Sequence, residues 1–319
     1  MASASFPQTL TAAVVYYNNP ETAHAEMVKF RWPDGIVRCP TCGSTEVWFT
    51  ASRKVWQCKN EHAKRQFSVK VGSVMEDSPL SISKWLIASW LITNAKNGIS
   101  SYELGRSIGV SQKSAWHMLH RIRLAMQGQD GGKLAGEVEV DETYIGGKAR
   151  NMHTDRRERI IRNGSKSKGK IAVMGLLERR HGASQVRTKV LSATARRSVI
   201  DPLVRKNVRS GSTIYSDALP SYNSLNGEYI HEFIDHAETY ARGQVHTNGL
   251  ENFWSLVKRT LRGTYISVEP FHLFRYLDEQ AFRFNNRKLT DAARFAITAG
   301  SVFGKRLTFA QLTASDASL

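Results

Sequence analysis

Three acidic residues are spaced so that a folded chain could bring their carboxylates to one place. Asp141 ends the strand-like run GEVEVD, Asp217 ends the run STIYSD, and Glu251 lies early in the helical pattern NGLENFWSLVKRTLRG. Because ligands collect at the carboxyl ends of strands in α/β sheets, the aspartates can converge there, and a helix packed across that end can add Glu251. Oxygen-only ligands suit Mg²⁺ or Mn²⁺ rather than zinc. Two such ions, about 3.5–4 Å apart, can activate a hydroxyl and stabilise the leaving oxygen in an in-line attack on phosphate.

Each of the three acids also has an ordinary structural interpretation. Asp217 can be a turn residue or a helix N-cap, and Glu251 can be a surface acid of an amphipathic helix. Asp141 can serve the turn made by Gly146 and Gly147. Only the convergence of the three side chains would make a catalytic site.

The run GEVEVDETYIGGK places three carboxylates on one face of a strand. Side chains alternate along a strand, so Glu137, Glu139 and Asp141 share one face, and Val138 and Val140 share the other. Like charges at this spacing repel one another. Either this face simply meets water, or divalent cations beside Asp141 make the crowding tolerable.

Basic residues follow Glu251 along the same helical pattern. Lys258 lies seven residues after Glu251 and therefore shares its face of the helix. Lys258, Arg259 and Arg262 extend a cationic surface on which a phosphate backbone could lie. Asn248, at the start of the helix, can cap it or assist metal binding.

These residues require a sheet with helices on its faces. The first strand is followed by a basic loop from Lys148 to Lys170, and then by KIAVMGLLERR and SQVRTKVLSA, which predict an antiparallel pair joined around HGA. Next come the helical segment TARRSVIDPLVRKNV, the strand that ends at Asp217, the strand-like run YIHEFIDH and a late helix that closes at Gly263. The amphipathic run FHLFRYLDEQAFRFNNRK predicts a further packing helix. This order predicts a mixed α/β sheet with flanking helices.

The three cysteines of the chain lie in one short N-terminal segment. CPTCGS supplies Cys39 and Cys42, and WQCKNEH supplies Cys58 followed by His62. Two ligand pairs between short strand-like runs predict a tetrahedral Cys3His zinc ribbon, and an odd cysteine count argues against a disulfide framework. In the alternative, Cys58 is a buried apolar residue and His62 lies on the surface.

Residues 81–128 predict a helix-turn-helix. Helical spacing indicates a helix with Ser83 as its cap, then a helix from Ser101, a turn at Gly109 and a helix from Ser111. The second helix of such a motif reads base edges near its N-terminal end. The candidate DNA-binding residues are Gln112, Lys113, Ser114, His117 and Arg121. The alternative is an ordinary helical hairpin.

The charge of the chain indicates a polyanionic partner. Its 45 Lys plus Arg residues stand against 28 Asp plus Glu, a formal net charge of +17. Nucleic acid is the first candidate and an anionic membrane the second. No apolar run approaches the roughly 18–20 residues that span a bilayer, and MASASFPQTL lacks the pattern of a secretory signal. We therefore expect a cytoplasmic, nucleoid-associated protein with no membrane partner.

Several segments together resemble prokaryotic insertion-sequence transposases of the DDE type, in the branch with an N-terminal zinc ribbon. VDETYIGGK, YSDALPSY and HTNGLENFWSLVKRTLRGTY resemble the catalytic blocks, and FRWPDGIVRCPTCGS, RQFSVKVGSVMEDSPLSISKW and FRYLDEQAFRFNNRK match the same branch. The likeness runs from about Glu21 to Lys288. Relatives usually close the ribbon with a second Cys-x2-Cys pair, whereas this chain has Cys58 and His62 there.

The resemblance implies a ribonuclease-H-like catalytic core with two bound Mg²⁺ (or Mn²⁺) ions. It assigns the three metal-binding carboxylates to Asp141, Asp217 and Glu251, and a basic residue near the scissile phosphate to Lys258. Because some relatives use Asn in the third position, Asn248 remains a weaker candidate.

The sequence thus predicts an α/β protein that is divided into five segments. They are an N-terminal helical segment (1–30), the zinc ribbon (31–75), the helix-turn-helix (81–128), the catalytic domain (134–300) and a C-terminal tail (301–319). The expected function is a DNA transposase that binds terminal inverted repeats, cleaves strands at the ends of its element and joins the 3′ ends to target DNA as a homodimer or larger synaptic assembly. Rival hypotheses are a zinc-ribbon regulator without catalysis and another ribonuclease-H-like nuclease.

Overall fold

The chain forms two compact units, each of which draws on two separate stretches of sequence. The computed structural model describes residues 6–128, 131–146, 158, 170–180, 182–191, 197–217, 227–234 and 246–314. The first unit comprises Met1–Gln127 with Leu289–Ser315, and the second comprises Gly128–Lys288 with Asp316–Leu319. The basic loop expected between Lys148 and Lys170 lies outside the described residues, apart from residues 158 and 170. Within the described ranges, no helix has both the length and the apolar character to cross a membrane.

The first unit begins with two helices and a small antiparallel sheet. Its elements are α1 (Leu10–Asn18), α2 (Pro20–Arg31), β1 (Val47–Thr50), β2 (Val55–Cys58) and β3 (Gln66–Phe67). The ring of Trp56 on β2 packs against Trp32, Phe49 and Phe67. This aromatic cluster anchors the small sheet in place of a larger core.

Three further helices of the first unit begin at serine N-caps. They are α3 (Ile82–Asn94), α4 (Ser101–Ile108) and α5 (Gln112–Met126). The caps are Ser81, Ser100 and Ser111, each of which accepts a backbone N–H from the first turn. The expected cap at Ser83 is wrong, because the Ser81 hydroxyl accepts the N–H of Lys84 and Ser83 already lies in the first turn. Gly109 ends α4 in the left-handed region, with φ +63°.

Two late helices belong to this first unit although they follow most of the second unit in sequence. They are α9 (Asp291–Gly300) and α10 (Phe309–Thr313). Thr298 on α9 bonds Thr93 on α3 at 3.3 Å, and the buried Phe295 ring packs beside Trp90. The sequence segment 134–300 therefore extends past Lys288, where the long stretch of the second unit ends, and the segment 301–319 contains a helix with a buried Leu312.

The second unit contains a five-stranded mixed sheet. Its strands are β4 (Glu137–Ile145), β5 (Ile171–Glu178), β6 (Gln185–Val190), β7 (Thr213–Asp217) and β8 (Ile230–Ile234), in the order β6-β5-β4-β7-β8. β4, β5 and β6 pair antiparallel, whereas β7 is parallel to both β4 and β8. The predicted antiparallel pair and the mixed α/β class are confirmed.

Helices cover both faces of this sheet. They are α6 (Arg197–Asn207) on one face, and α7 (Asn248–Thr260) and α8 (Leu273–Asn285) on the other. Val138 and Val140 point toward α6, so the alternate residues of β4 face α7. The carboxylates of Glu139 and Asp141 therefore meet a helix, whereas Glu137, at the start of the strand, is exposed.

The sequence predicted that the late helix ends at Gly263, but the chain stays helical beyond that residue. After Thr260, residues Leu261–Tyr265 continue as a π-helical turn, and Ile266 then ends this turn with φ +60°. Leu261 is buried in the same apolar cluster as Val257, which keeps the backbone winding past the end of α7. A π-turn of this kind is often found beside functional sites.

Candidate metal centres and nucleic-acid interface

Asp141 and Asp217 occupy neighbouring positions on two parallel strands. Val140 of β4 pairs with Ser216 of β7, and each aspartate is the next residue of its strand. Adjacent strands lie about 4.8 Å apart, so the two backbones are close at this level. The side chain of Asp217 lies outside the described part of the chain. Glu251 is an exposed residue of the first turn of α7.

Two hydrogen bonds attach α7 to β4, from residues four apart on the helix to residues two apart on the strand. The backbone N–H of Leu250 donates to Oε2 of Glu139 at 2.9 Å, and the indole Nε1–H of Trp254 donates to Oδ2 of Asp141 at 2.9 Å. Four helical residues advance about 6 Å and two strand residues about 6.6 Å, so the spacing of the two donors on α7 is compatible with that of the two acceptors on β4. Glu251 directly follows Leu250, so its backbone belongs to the segment of α7 between these two bonds.

Two glycines make this close approach possible. Gly175 is the partner of Asp141 across β4 and β5, and a Cβ there would lie 2.5 Å from Cζ2 of Trp254. A Cβ on Gly249 would lie 2.8 Å from Oε2 of Glu139. Both spaces are filled by the neighbouring element, so neither position accepts a larger side chain without a shift.

Arg179 resolves the charge crowding that the sequence shows on β4. Its Nε donates to Oε1 of Glu139 at 2.8 Å, and its Nη1 lies 3.5 Å from Oε2 of Glu137. Its Nη2 donates to the carbonyl of His246 at 2.6 Å, and the guanidinium stacks on the Tyr215 ring at 4.4 Å. Two of the three carboxylates therefore have a cationic partner, which neither interpretation of this face from the sequence included.

Glu139 also caps α7. Thr247 occupies the N-cap position but makes no side-chain capping bond, and the Glu139 carboxylate accepts the third N–H of the helix instead. Asn248 is the first helical residue and is exposed, so the suggested capping role falls to Glu139. Sequence reasoning missed Arg179 and this role of Glu139. The one sequence signal was the position of Arg179 directly after the strand that pairs with β4.

The basic residues after Glu251 lie at the far end of α7 and in the following turn. Lys258 is half-buried, whereas Arg259 and Arg262 are exposed. Arg259 is in the last turn of α7 and Arg262 in the π-helical turn. The predicted cationic surface thus continues past the end of the α-helix.

The N-terminal cysteines and His62 form a compact tetrad. Their ligand atoms lie within 4.8 Å of one another, with 3.6 Å between the Sγ atoms of Cys42 and Cys58, and 3.4 Å between Sγ of Cys39 and Nε2 of His62. Tetrahedral zinc, with Zn–S bonds of about 2.3 Å, separates two thiolates by about 3.8 Å. The donor set therefore fits a zinc ion.

The surroundings of two ligands prepare them for a metal. Nδ1 of His62 lies 2.8 Å from the carbonyl of Ala63, which favours a proton on Nδ1 and leaves the Nε2 lone pair for coordination. Burial alone would raise the pKa of the Cys39 thiol, but the backbone N–H groups of Cys42 and Thr41 outweigh it and lower this pKa to about 7. A thiolate is the form that binds zinc.

The candidate DNA-binding residues of α5 differ in accessibility. Lys113 is exposed, whereas Gln112 is half-buried and donates to Oγ of Ser101 at 2.9 Å. The Ser114 hydroxyl accepts a hydrogen bond from Oγ of Ser111 at 2.9 Å. His117 is half-buried with its ring edge-on to Phe309. Of these, Lys113 is the residue most open to a partner.

Arg121 has a structural position. It is only 5% exposed, its Nε donates to the carbonyl of Leu307 at 2.7 Å, and its Nη1 donates to the carbonyl of Glu76 at 2.9 Å. These bonds tie α5 to two loops of the first unit. The expectation that Arg121 contacts DNA is therefore dropped, because its guanidinium is turned into the protein.

Two parts of the chain match known protein families. Residues 133–285 match an ISXO2-like transposase domain, and residues 18–60 match a transposase zinc-ribbon domain. A protein of transposable element ISH50 from Halobacterium salinarum is 28% identical over 246 residues, which are 74% of this chain and 81% of that protein. A transposase-like protein from Haemophilus influenzae is 34% identical over 89 residues, which are 28% of this chain and 72% of that protein.

Proposed function

The chain belongs to the insertion-sequence transposases with an N-terminal zinc ribbon. On this premise, we propose that it cleaves DNA at the ends of its own element and joins the freed 3′ ends to target DNA. The central mixed sheet with acidic residues on adjacent parallel strands is what a ribonuclease-H-like core requires. The activity is metal-dependent phosphoryl transfer, in which protein residues hold the cations and position the DNA.

The observation that supports this proposal is that two of the three acids lie on adjacent parallel strands and the third lies on a helix bonded to one of those strands. Asp141 and Asp217 follow a paired position of β4 and β7, and α7 is bonded to β4 by residues on both sides of Glu251. Together, the three carboxylates would supply the oxygen ligands that suit Mg²⁺ or Mn²⁺. When bound, such ions would activate the attacking hydroxyl and stabilise the leaving oxygen. The described residues of this site, Asp141 and Glu251, fit that requirement chemically.

Other residues would hold the DNA. Lys258, half-buried one turn beyond Trp254, is proposed to contact the phosphate backbone near the scissile bond, and Arg259 and Arg262 extend that contact. α4 and α5 are proposed to act as a helix-turn-helix that, with the zinc ribbon, recognises the terminal inverted repeats through Lys113 and its neighbours. Two element ends must be processed together, so a homodimer or larger assembly on nucleoid DNA completes the proposal.

The test is strand cleavage and joining on a labelled duplex that carries the terminal repeat of the element, with Mg²⁺, with Mn²⁺ and with EDTA. We expect metal-dependent nicking at the repeat boundary, lost in Asp141→Asn, Asp217→Asn and Glu251→Gln while repeat binding persists. Glu232→Gln, which removes an exposed acid from β8 of the same sheet, is the matched control and should cleave normally. Repeat-specific binding without cleavage under any metal would instead indicate a DNA-binding regulator.

A further inference from the structure

Trp254 joins the proposed metal site through its indole nitrogen. The side chain is buried on β5, above the space that Gly175 leaves open, and Nε1 lies 2.9 Å from Oδ2 of Asp141. An indole carries a single N–H donor and no acceptor, and a buried indole usually directs that donor to a partner. Here the partner is the carboxylate that the proposed function assigns to the metal.

The two carboxylates of β4 that face α7 receive different donors from that helix, a backbone N–H at Glu139 and an indole N–H at Asp141. Glu139 is ion-paired with Arg179 at 2.8 Å, so its negative charge is already balanced. The donor from α7 to Asp141 is a neutral indole, which orients a carboxylate without bringing a positive charge that would compete with a cation. Residues that orient metal ligands from outside the coordination sphere act in this way.

We propose that Trp254 is a positioning residue of the metal site, which fixes the orientation of the Asp141 carboxylate through its indole N–H. This inference rests on the proposed function, because it takes Asp141 to be a metal ligand. Glu139 lies two residues before Asp141 on the same face of β4, but its ion pair with Arg179 excludes it from the proposed metal ligands.

The test replaces the N–H and keeps the ring. β-(3-Benzothienyl)alanine at position 254 has the shape of tryptophan but lacks the donor, and Trp254→Phe is the simpler companion. The matched control is Trp85→Phe, because Trp85 is equally buried and its Nε1 donates to Oγ of Ser78 at 3.1 Å in the first unit. Thermal unfolding of each zinc-loaded, full-length protein verifies that it is folded.

Two readouts separate positioning from folding. Mn²⁺ binding, followed by loss of the free-ion paramagnetic resonance signal, should weaken roughly tenfold in the benzothienyl variant and stay unchanged in Trp85→Phe. The Mg²⁺ concentration for half-maximal cleavage should rise by a similar factor, with the rate recovering toward wild type at saturating Mg²⁺.

The outcomes distinguish this inference from the proposed function. If Asp141→Asn binds Mn²⁺ and cleaves as well as wild type, the proposed function itself fails. If Asp141→Asn loses both properties but the benzothienyl variant matches wild type in Mn²⁺ affinity and in Mg²⁺ dependence, the positioning role of Trp254 is wrong.

Discussion

Arg179 and Glu139 form a buried ion pair, with 2.8 Å between Nε and Oε1, at the point where the first strand of the sheet meets the helix that carries Glu251. The other oxygen of Glu139 accepts the Leu250 N–H of that helix. One carboxylate thus connects β4, the end of β5 and the start of α7. The pair sets the position of a helix on which a catalytic residue is proposed to lie.

Removing this charge should destabilise the second unit. Glu139→Gln leaves the guanidinium of Arg179 buried without a full counter-charge, and breaking a buried pair from one side costs about 3–5 kcal/mol. Glu137→Gln is the matched control, since Glu137 reaches the same arginine at 3.5 Å from an exposed position, where a pair contributes about 0–1 kcal/mol. Urea unfolding of both variants measures the difference. Equal losses in the two variants would contradict the structural role of Glu139.

Gly175→Ala should disturb Trp254 directly. The new Cβ would lie 2.5 Å from the indole, so the ring must move, and overpacking of this kind costs about 1–3 kcal/mol. Gly128→Ala is the control, because its Cβ would meet nothing within 4 Å. Thermal unfolding and the Mg²⁺ dependence of cleavage should change in the first variant only. A fully stable Gly175→Ala with normal Mg²⁺ dependence would show that the indole has room to move.

His62 should be required for zinc. His62→Ala removes Nε2, which lies 3.4 Å from Sγ of Cys39, so zinc content and zinc affinity should fall. His62→Cys supplies another soft ligand at the same place and should retain the ion. Metal analysis of the purified proteins and a competing chelator measure both. Undiminished zinc binding by His62→Ala would mean that the fourth ligand lies elsewhere.

Acid should weaken the first unit through His24. This residue is buried beside the Trp56 and Phe49 rings, and burial lowers the pKa of its imidazole below the usual value. The unfolded chain therefore binds more protons, and stability falls as the pH drops below about 6.5. His24→Phe should reduce the loss between pH 7.5 and 5.5, as measured by urea unfolding. The same loss in wild type and variant would assign the acid sensitivity to other groups.

Substitutions at Lys113 and at Arg121 should have different effects, the first on DNA affinity and the second on the stability of the fold. Lys113→Ala removes an exposed charge, so DNA affinity should fall and the slope of log K against log salt should decrease by about one. Arg121→Met should lower stability, because the Leu307 and Glu76 carbonyls lose their donor. Fluorescence anisotropy and thermal unfolding distinguish the two effects. An unchanged affinity in Lys113→Ala would remove α5 from the DNA interface.

The features that the sequence revealed are the local ones. Alternation along GEVEVD identified a strand, and the spacing of Cys39, Cys42, Cys58 and His62 identified the tetrad that the structure brings together. These patterns depend on residues a few positions apart, which secondary structure holds at fixed distances.

Non-local pairing could not be inferred in the same way. Arg179 meets Glu139 only because β5 runs antiparallel to β4. Similarly, α9 belongs to the first unit although residues 128–288, which form most of the second unit, separate it in sequence from α5. Arg121 looked like a surface residue because nothing in α5 indicates that Leu307 lies over it. An amphipathic pattern identifies the buried face of a helix. It does not identify a long polar side chain, such as that of Arg121, whose end makes hydrogen bonds inside the protein.

The central claim is that Asp141, Asp217 and Glu251 share one metal site, and iron-directed cleavage of the polypeptide tests it most directly. Fe²⁺ in place of Mg²⁺, with ascorbate and peroxide, generates radicals that cut the backbone beside the bound ion. We predict cuts in three separate segments, near residues 141, 217 and 251, which Mg²⁺ suppresses and Asp141→Asn abolishes together. Cuts near only one of these residues, or cuts that persist in Asp141→Asn, would contradict a shared site.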